Sequence, residues 1–301
     1  MKRFAMKSLG LLALSATVGM GQVLAHTSVR DQAAENANSF NGFTIGHGCA
    51  GASGQQEYPV LGQSALFPDG ATAVWRDAAG NVIQVGGNGN GTIGTATLSL
   101  GVTGYAGMSS PFTTAQEIVD GNGVVRALHW RDGAMEPKLG AVTPFKVKTP
   151  IIADNCVKSL KIRIAVINWC DIAKNEANDA GGPYKAPKDA FKRKIPMTVI
   201  PPAKQTNVAV SPFFTNMSKG NGDNNRADWW FKSLNTPSAL YNDPDLEGEW
   251  ATLTVNKSSD DLKKCTGALI DSVSVEPDGP DFDAFLTGEN TQPFTKGPAP
   301  F

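Results

Sequence analysis

Histidine is scarce in this chain: there are three, His26, His47 and His129. Any chemistry that needs an imidazole must draw on them. The signatures of common hydrolytic and redox centres are missing, with no GxSxG, no HExxH and no CxxC. A methionine-rich copper-carrier stretch is also missing. Positive charge is not in surplus: 27 Lys+Arg stand against 28 Asp+Glu, so the basic face that nucleic acid requires is not expected. Charged residues make up only 18%, while glycine and proline number 32 and 19. That balance suits a loop-rich β protein better than a helical one.

The N-terminal segment reads as a secretory signal over residues 1–25. Lys2, Arg3 and Lys7 form a basic region, and Leu9 to Val18 is an apolar run too short to remain in a bilayer. Val23 and Ala25 supply the small pair that signal peptidases recognise. Cleavage after Ala25 leaves His26 first, with a formal charge of about −4 once Lys2, Arg3 and Lys7 are gone. The protein is therefore expected to be exported to the periplasm, the outer surface or the medium. Four cysteines in an oxidising compartment read as two disulfides, for which three pairings exist. Cys49–Cys170 with Cys156–Cys265 is preferred, because Cys156 and Cys265 each open a strand-like run.

Turn-bounded, alternating segments dominate the rest of the chain. Phe40–His47, Ser64–Phe67, Thr72–Arg76, Val82–Val85, Val142–Lys148, Trp250–Val255 and Leu269–Val275 read as strands. Glu117 to Trp130 reads as a hairpin around Asp120-Gly121-Asn122-Gly123. On its second strand Val125, Ala127 and His129 share one face, with Val124, Arg126, Leu128 and Trp130 on the other. Lys158 to Trp169 is the strongest strand, with Leu160, Ile162, Ile164 and Val166 facing a core and Lys161 and Arg163 facing out. GGNGNGTIG over 86–94 contains a formal GxGxxG, but Thr95 to Leu100 continues as a strand and the nucleotide reading is set aside. Lys185 to Lys194 and Ser218 to Asn235 read as loops. From Pro277 onward the chain reads as a loosely held tail. The expected architecture is an all-β antiparallel sandwich spanning 26–285, with a flexible tail at 286–301.

The candidate ligands follow from the scarcity of histidine. An N-terminal His26 offers an α-amine and an imidazole on one residue, and His47 or His129 would add a third nitrogen, a T-shaped set that copper favours. Trp130, Trp229 and Trp230 are the aromatic residues that could line such a site. Asn242 to Glu247 and Asp278 to Asp283 cluster oxygen donors suited to calcium, without EF-hand spacing, and solvated turns are the simpler reading.

Several stretches carry a resemblance. Ala25 to Asp31 (AHTSVRD), FTIGHGCAG, KSLKIRIAVINWC, RADWWF, YNDPDLEGEWATLTVN and SVSVEPDGPDFDAFL together resemble the surface-associated copper-binding proteins of methanotrophs, the MopE/CorA type. The N-terminal part, Ala25 to Gly51, is also similar to YcnI-type copper-binding domains, whose N-terminal His is a ligand. The resemblance implies an exported β-sandwich that binds one copper ion and associates with the outer surface. The methanotroph family arranges its site as Trp-x-His with an oxidised tryptophan; here no tryptophan lies two residues before a histidine. The expected function is copper uptake or sequestration without turnover. A histidine-brace copper mono-oxygenase and a metal-free structural surface protein are the alternatives.

Overall fold

A computed structural model describes residues 27–50, 57–68, 72–83, 100–104, 110–170, 227–231, 234–238 and 249–286; for 49–50, 57–58, 61, 131–132, 169–170 and 227–230 it describes the backbone alone. The protein is all-β. In chain order the strands are β1 (Ser28–Val29), β2 (Ala33–Ala34), β3 (Asn38–Ile45), β4 (Cys49–Ala50), β5 (Glu57–Tyr58), β6 (Val60–Leu66), β7 (Val74–Arg76), β8 (Val82–Ile83) and β9 (Gly101–Gly104). They continue as β10 (Phe112–Val119), β11 (Val125–Gly133), β12 (Ala141–Lys148), β13 (Ser159–Cys170), β14 (Ala227–Trp230), β15 (Ala251–Asn256) and β16 (Val273–Glu276). Two short helices, α1 (Ser259–Leu262) and α2 (Gly279–Phe285), flank β16.

The organising element is β13. At about 3.3 Å per residue, its 12 residues are long enough to serve two neighbours on each edge. Its first half pairs antiparallel with β15 and parallel with β16; its second half pairs antiparallel with β6 and β14. The large sheet then extends through β6 to β11 and β10, and through β16 to β7 and β8. A second sheet, ordered β1-β3-β12-β9, packs across it. Leu160, Ile162, Ile164 and Val166 of β13 enter the core between the sheets, where Phe43 stacks on Phe145 at 4.7 Å and meets Trp130 edge-on at 5.8 Å. Such aromatic pairs add about 0.5–1.5 kcal/mol beyond the area they bury.

Four features differ from the reading of the sequence. The sheets are mixed, because β13–β16 and β15–β2 are parallel. The outer face of β13 is solvated only in its first half: Ala165 and Ile167 join a second core with Leu66, Ala127, Phe231, Phe282 and Phe285. Within Ser218–Asn235, read as a loop, residues 227–230 form β14. The segment after Pro277 is no tail up to Leu286: it is a capped helix that closes the second core, and Leu286 is itself buried. Asp278 and Asp281 form a reciprocal capping box at its start, with Pro280 in the first turn. Gly279 is required there, since a Cβ would lie 2.2 Å from the Thr236 carbonyl oxygen.

The disulfide Cys156–Cys265 is present, with an S–S distance of 2.02 Å. Cys265 follows α1 instead of opening a strand. The backbone of β4, which carries Cys49, lies against β13, which ends at Cys170; these two side chains lie outside the described residues. So do residues 95–99 of the strand candidate Thr95–Leu100, the glycine-rich loop at 86–94, the basic loop at 185–194 and the tail from 287.

Candidate functional site

The end of the sandwich where β3 and β13 both finish is built around the start of the described chain. Thr27 is only 3% exposed, and its hydroxyl accepts from Asn168 Nδ2 at 3.0 Å. Asn168 Oδ1 accepts from Gln63 Nε2 at 2.7 Å, and Gln63 Oε1 accepts from the Thr143 hydroxyl. This buried polar chain crosses the sandwich from β12 to β6 to β13 and ends on Thr27. Asn168 occupies the next core-facing place after Leu160, Ile162, Ile164 and Val166, so strand alternation turns its amide inward. The residue before Thr27, His26, lies outside the described residues; it is one peptide bond from this anchor.

The direction of β1 says what lies at that end. Ser28 pairs with Thr44 and Val29 with Phe43, antiparallel. Moving toward the N-terminus along β1 therefore moves toward the C-terminal end of β3, where Ile45, Gly46 and His47 follow. His47 is half-buried, and its Nδ1 lies 2.5 Å from the Gly48 carbonyl oxygen. A carbonyl can only accept, so Nδ1 carries the proton and the lone pair of the neutral ring sits on Nε2. The turn is itself held, because Gly48 N–H donates to the Pro137 carbonyl at 2.6 Å.

His129 sits elsewhere. It is 2% exposed and paired in register with Ser64 on β6, with Nδ1 2.5 Å from the Ser64 hydroxyl. Its strand neighbours Leu128 and Trp130 face the core between the sheets, so alternation puts His129 on the opposite face, with Ala127 of the second core. The large sheet thus separates His129 from Thr27 and Asn168. Trp130 is a core residue, 1% exposed. Trp229 and Trp230 pair through their backbones with Ile167 and Val166; their side chains lie outside the described residues.

The oxygen donors of 278–283 are divided among separate partners. Asp278 accepts from the Thr236 and Gly279 amides, Asp281 from Arg126 and Thr72, and Asp283 from the Ser238 hydroxyl. The stretch 242–247 lies outside the described residues. Among the described residues no three His, Cys, Asp or Glu side chains come together as a metal site. The resolved pKa shifts fall on exposed side chains away from His47: hydrogen bonds from Asn81, Lys264 and Lys158 hold Asp77, Asp261 and Asp271 below the usual carboxylate range. Among the described residues no helix is long and apolar enough to cross a membrane.

Two groups escaped the reading of the sequence. The chain Thr143–Gln63–Asn168–Thr27 had a visible signal, since Asn168 continues the core-facing series Leu160, Ile162, Ile164 and Val166 with a polar residue. The pair Arg126–Asp281 had none, because a β-bulge redirects Arg126. No protein-family model matches the chain, and no curated protein matches it.

Proposed function

We propose that this is an exported copper-binding protein for uptake or sequestration, in the periplasm or at the outer surface, with His26 and His47 as the ligating residues. After cleavage behind Ala25, His26 offers its α-amine and ring nitrogen to one metal ion, and His47 Nε2 supplies the third nitrogen. The observation that carries the reading is the buried Thr27–Asn168 hydrogen bond, which ties the residue after His26 to the end of the sandwich toward which His47 lies.

The residues fit a copper ligand set. Gly48 accepts the Nδ1 proton of His47, fixing ring orientation and tautomer as an outer-shell partner does in imidazole metal sites. A free amine and neutral imidazoles suit copper better than hard oxygen-seeking cations. The bound ion supplies charge for the nitrogens to hold; the protein supplies position. Each nitrogen must shed its proton to bind, so affinity falls as pH drops below the imidazole range. His129, sealed on the other face, is not used in this reading.

Intact mass and metal analysis on natively exported protein test it. A chain beginning at His26, carrying about one copper, is expected. His47→Ala, or a form with one extra residue before His26, should lose more than the roughly 10–100-fold caused by disturbing an outer-shell partner alone. Full affinity in the extended form refutes the amine chelate. Full affinity in His47→Ala with loss in His129→Ala refutes the choice of second histidine.

A further inference from the structure

We infer that Asn168, held by Gln63 and Thr143, is a positioning residue that fixes the backbone at the start of the mature chain. The inference rests on the metal reading only for its consequence, not for its geometry. β1 is two residues long and on a sheet edge, too short to hold a terminus by ladder bonds alone. Its Ser28 hydroxyl meets Thr44 at 2.7 Å on the exposed side, where water competes. Thr27 is different, because it is buried and is reached by a side chain from the opposing sheet.

The donor pattern runs one way. Thr143 donates to Gln63, Gln63 to Asn168, and Asn168 to Thr27. Each amide orientation is set by its neighbour, so Asn168 presents an N–H, not a carbonyl, to Thr27. A buried amide without a partner is costly, roughly 1–3 kcal/mol on mutational scales. Thr27 supplies the acceptor at the end of this relay, and the bond favours one docked position for the segment. With Thr27 fixed, the residue joined to it by one peptide bond starts from a fixed backbone point beside the end of β3. Pre-organisation of that kind raises affinity by lowering the ordering cost of binding.

The test uses the mature chain, first without metal. Hydrogen exchange of the N-terminal peptide and its trimming by an aminopeptidase should both rise at least about 10-fold in Asn168→Leu and in Thr27→Val, with Thr27→Ser close to wild type. Phe282→Ala, which weakens the core on the far face, should leave N-terminal exchange unchanged under conditions where global unfolding is negligible. Copper affinity should fall about 10–100-fold in Thr27→Val and recover in Thr27→Ser. If Asn168→Leu does not fold, the near-isosteric Thr27→Val carries the same readouts. Unchanged N-terminal exchange in Thr27→Val overturns the inference. Faster exchange in a protein whose wild type binds no copper overturns the metal reading and sustains the positioning role.

Discussion

Replacing Asp281 by asparagine tests whether the helix after Pro277 is an integral part of the fold. The carboxylate receives Arg126 Nη2 at 2.9 Å, and both side chains are 5% exposed. Arg126 reaches it because Ile118 pairs with Ala127 while Val119 pairs with Val125, leaving Arg126 as the extra residue of a bulge. The bulge turns the guanidinium away from the core face of Leu128 and Trp130 and over the Phe285 ring, 4.4 Å from its centroid. Removing one partner of a buried pair costs about 3–5 kcal/mol, because the remaining charge is stranded. Asp120, 3.9 Å from Nη1 and 14% exposed, offsets part of that. The expected loss is therefore near the lower end, about 3 kcal/mol. The apolar pair Arg126→Met/Asp281→Leu leaves no unpaired guanidinium and is expected within about 1 kcal/mol of wild type, the residual loss being the contacts of Asp281 with Asp278 N–H and the Thr72 hydroxyl. Urea unfolding of the oxidised protein measures both, as midpoint shifts at constant slope. A loss below about 1 kcal/mol in Asp281→Asn would falsify the buried coupling. A double variant as unstable as the two single variants combined would equally refute it.

The disulfide and the acid limb give two further predictions. Cys156–Cys265 joins residues 109 apart, so Cys156→Ala/Cys265→Ala should lose about 2–5 kcal/mol, toward the upper end for so long a loop; a loss below about 1 kcal/mol in the same urea assay contradicts the loop argument. The side-chain hydrogen bond from Asn81 to Asp77, and that from Lys158 to Asp271, depress both carboxyls. Their folded values lie below the unfolded 3.8, so their stabilisation is complete above that pH and is lost as pH falls through the depressed values. Stability measured against pH should therefore decline more gently at the acid end in Asp77→Asn/Asp271→Asn than in wild type, and high salt should remove the Asp271 part but spare the Asp77 part. An acid limb unchanged in that double variant contradicts the assignment.

The strands were legible where one face alone decides the pattern. In the second half of β12 (Phe145–Lys148) and the first half of β13, apolar and polar residues alternate because one side meets the core and the other meets water. The second half of β13 breaks that logic, since Ala165 and Ile167 are covered by α2 and Phe231, elements far away in the chain. The parallel β13–β16 pairing had no local signal for the same reason. α2 did carry one: Asp278, Pro280 and Asp281 form a helix start, and Phe282 and Phe285 at i and i+3 an apolar stripe. The acidic composition concealed it, because three aspartates in six residues also suit a solvated turn.

Which of His47 and His129 shares a side of the large sheet with Thr27 depends on the strand register. Alternation within β11 groups His129 with Ala127, but alternation cannot say which of two cores that face meets. The answer comes from the register of β6 on β13, where Gln63 pairs with Asn168 and Ser64 with Ile167. A shift of β6 by one residue would exchange its two faces, bringing Ser64 toward Thr27 and sending Gln63 to the other side. Gln63 itself resists that shift, because it would then face Phe231 and Phe282, away from Asn168 and Thr143. The polar pair that interrupts the apolar pattern therefore specifies the register, and through the register it places Thr27 on the His47 side.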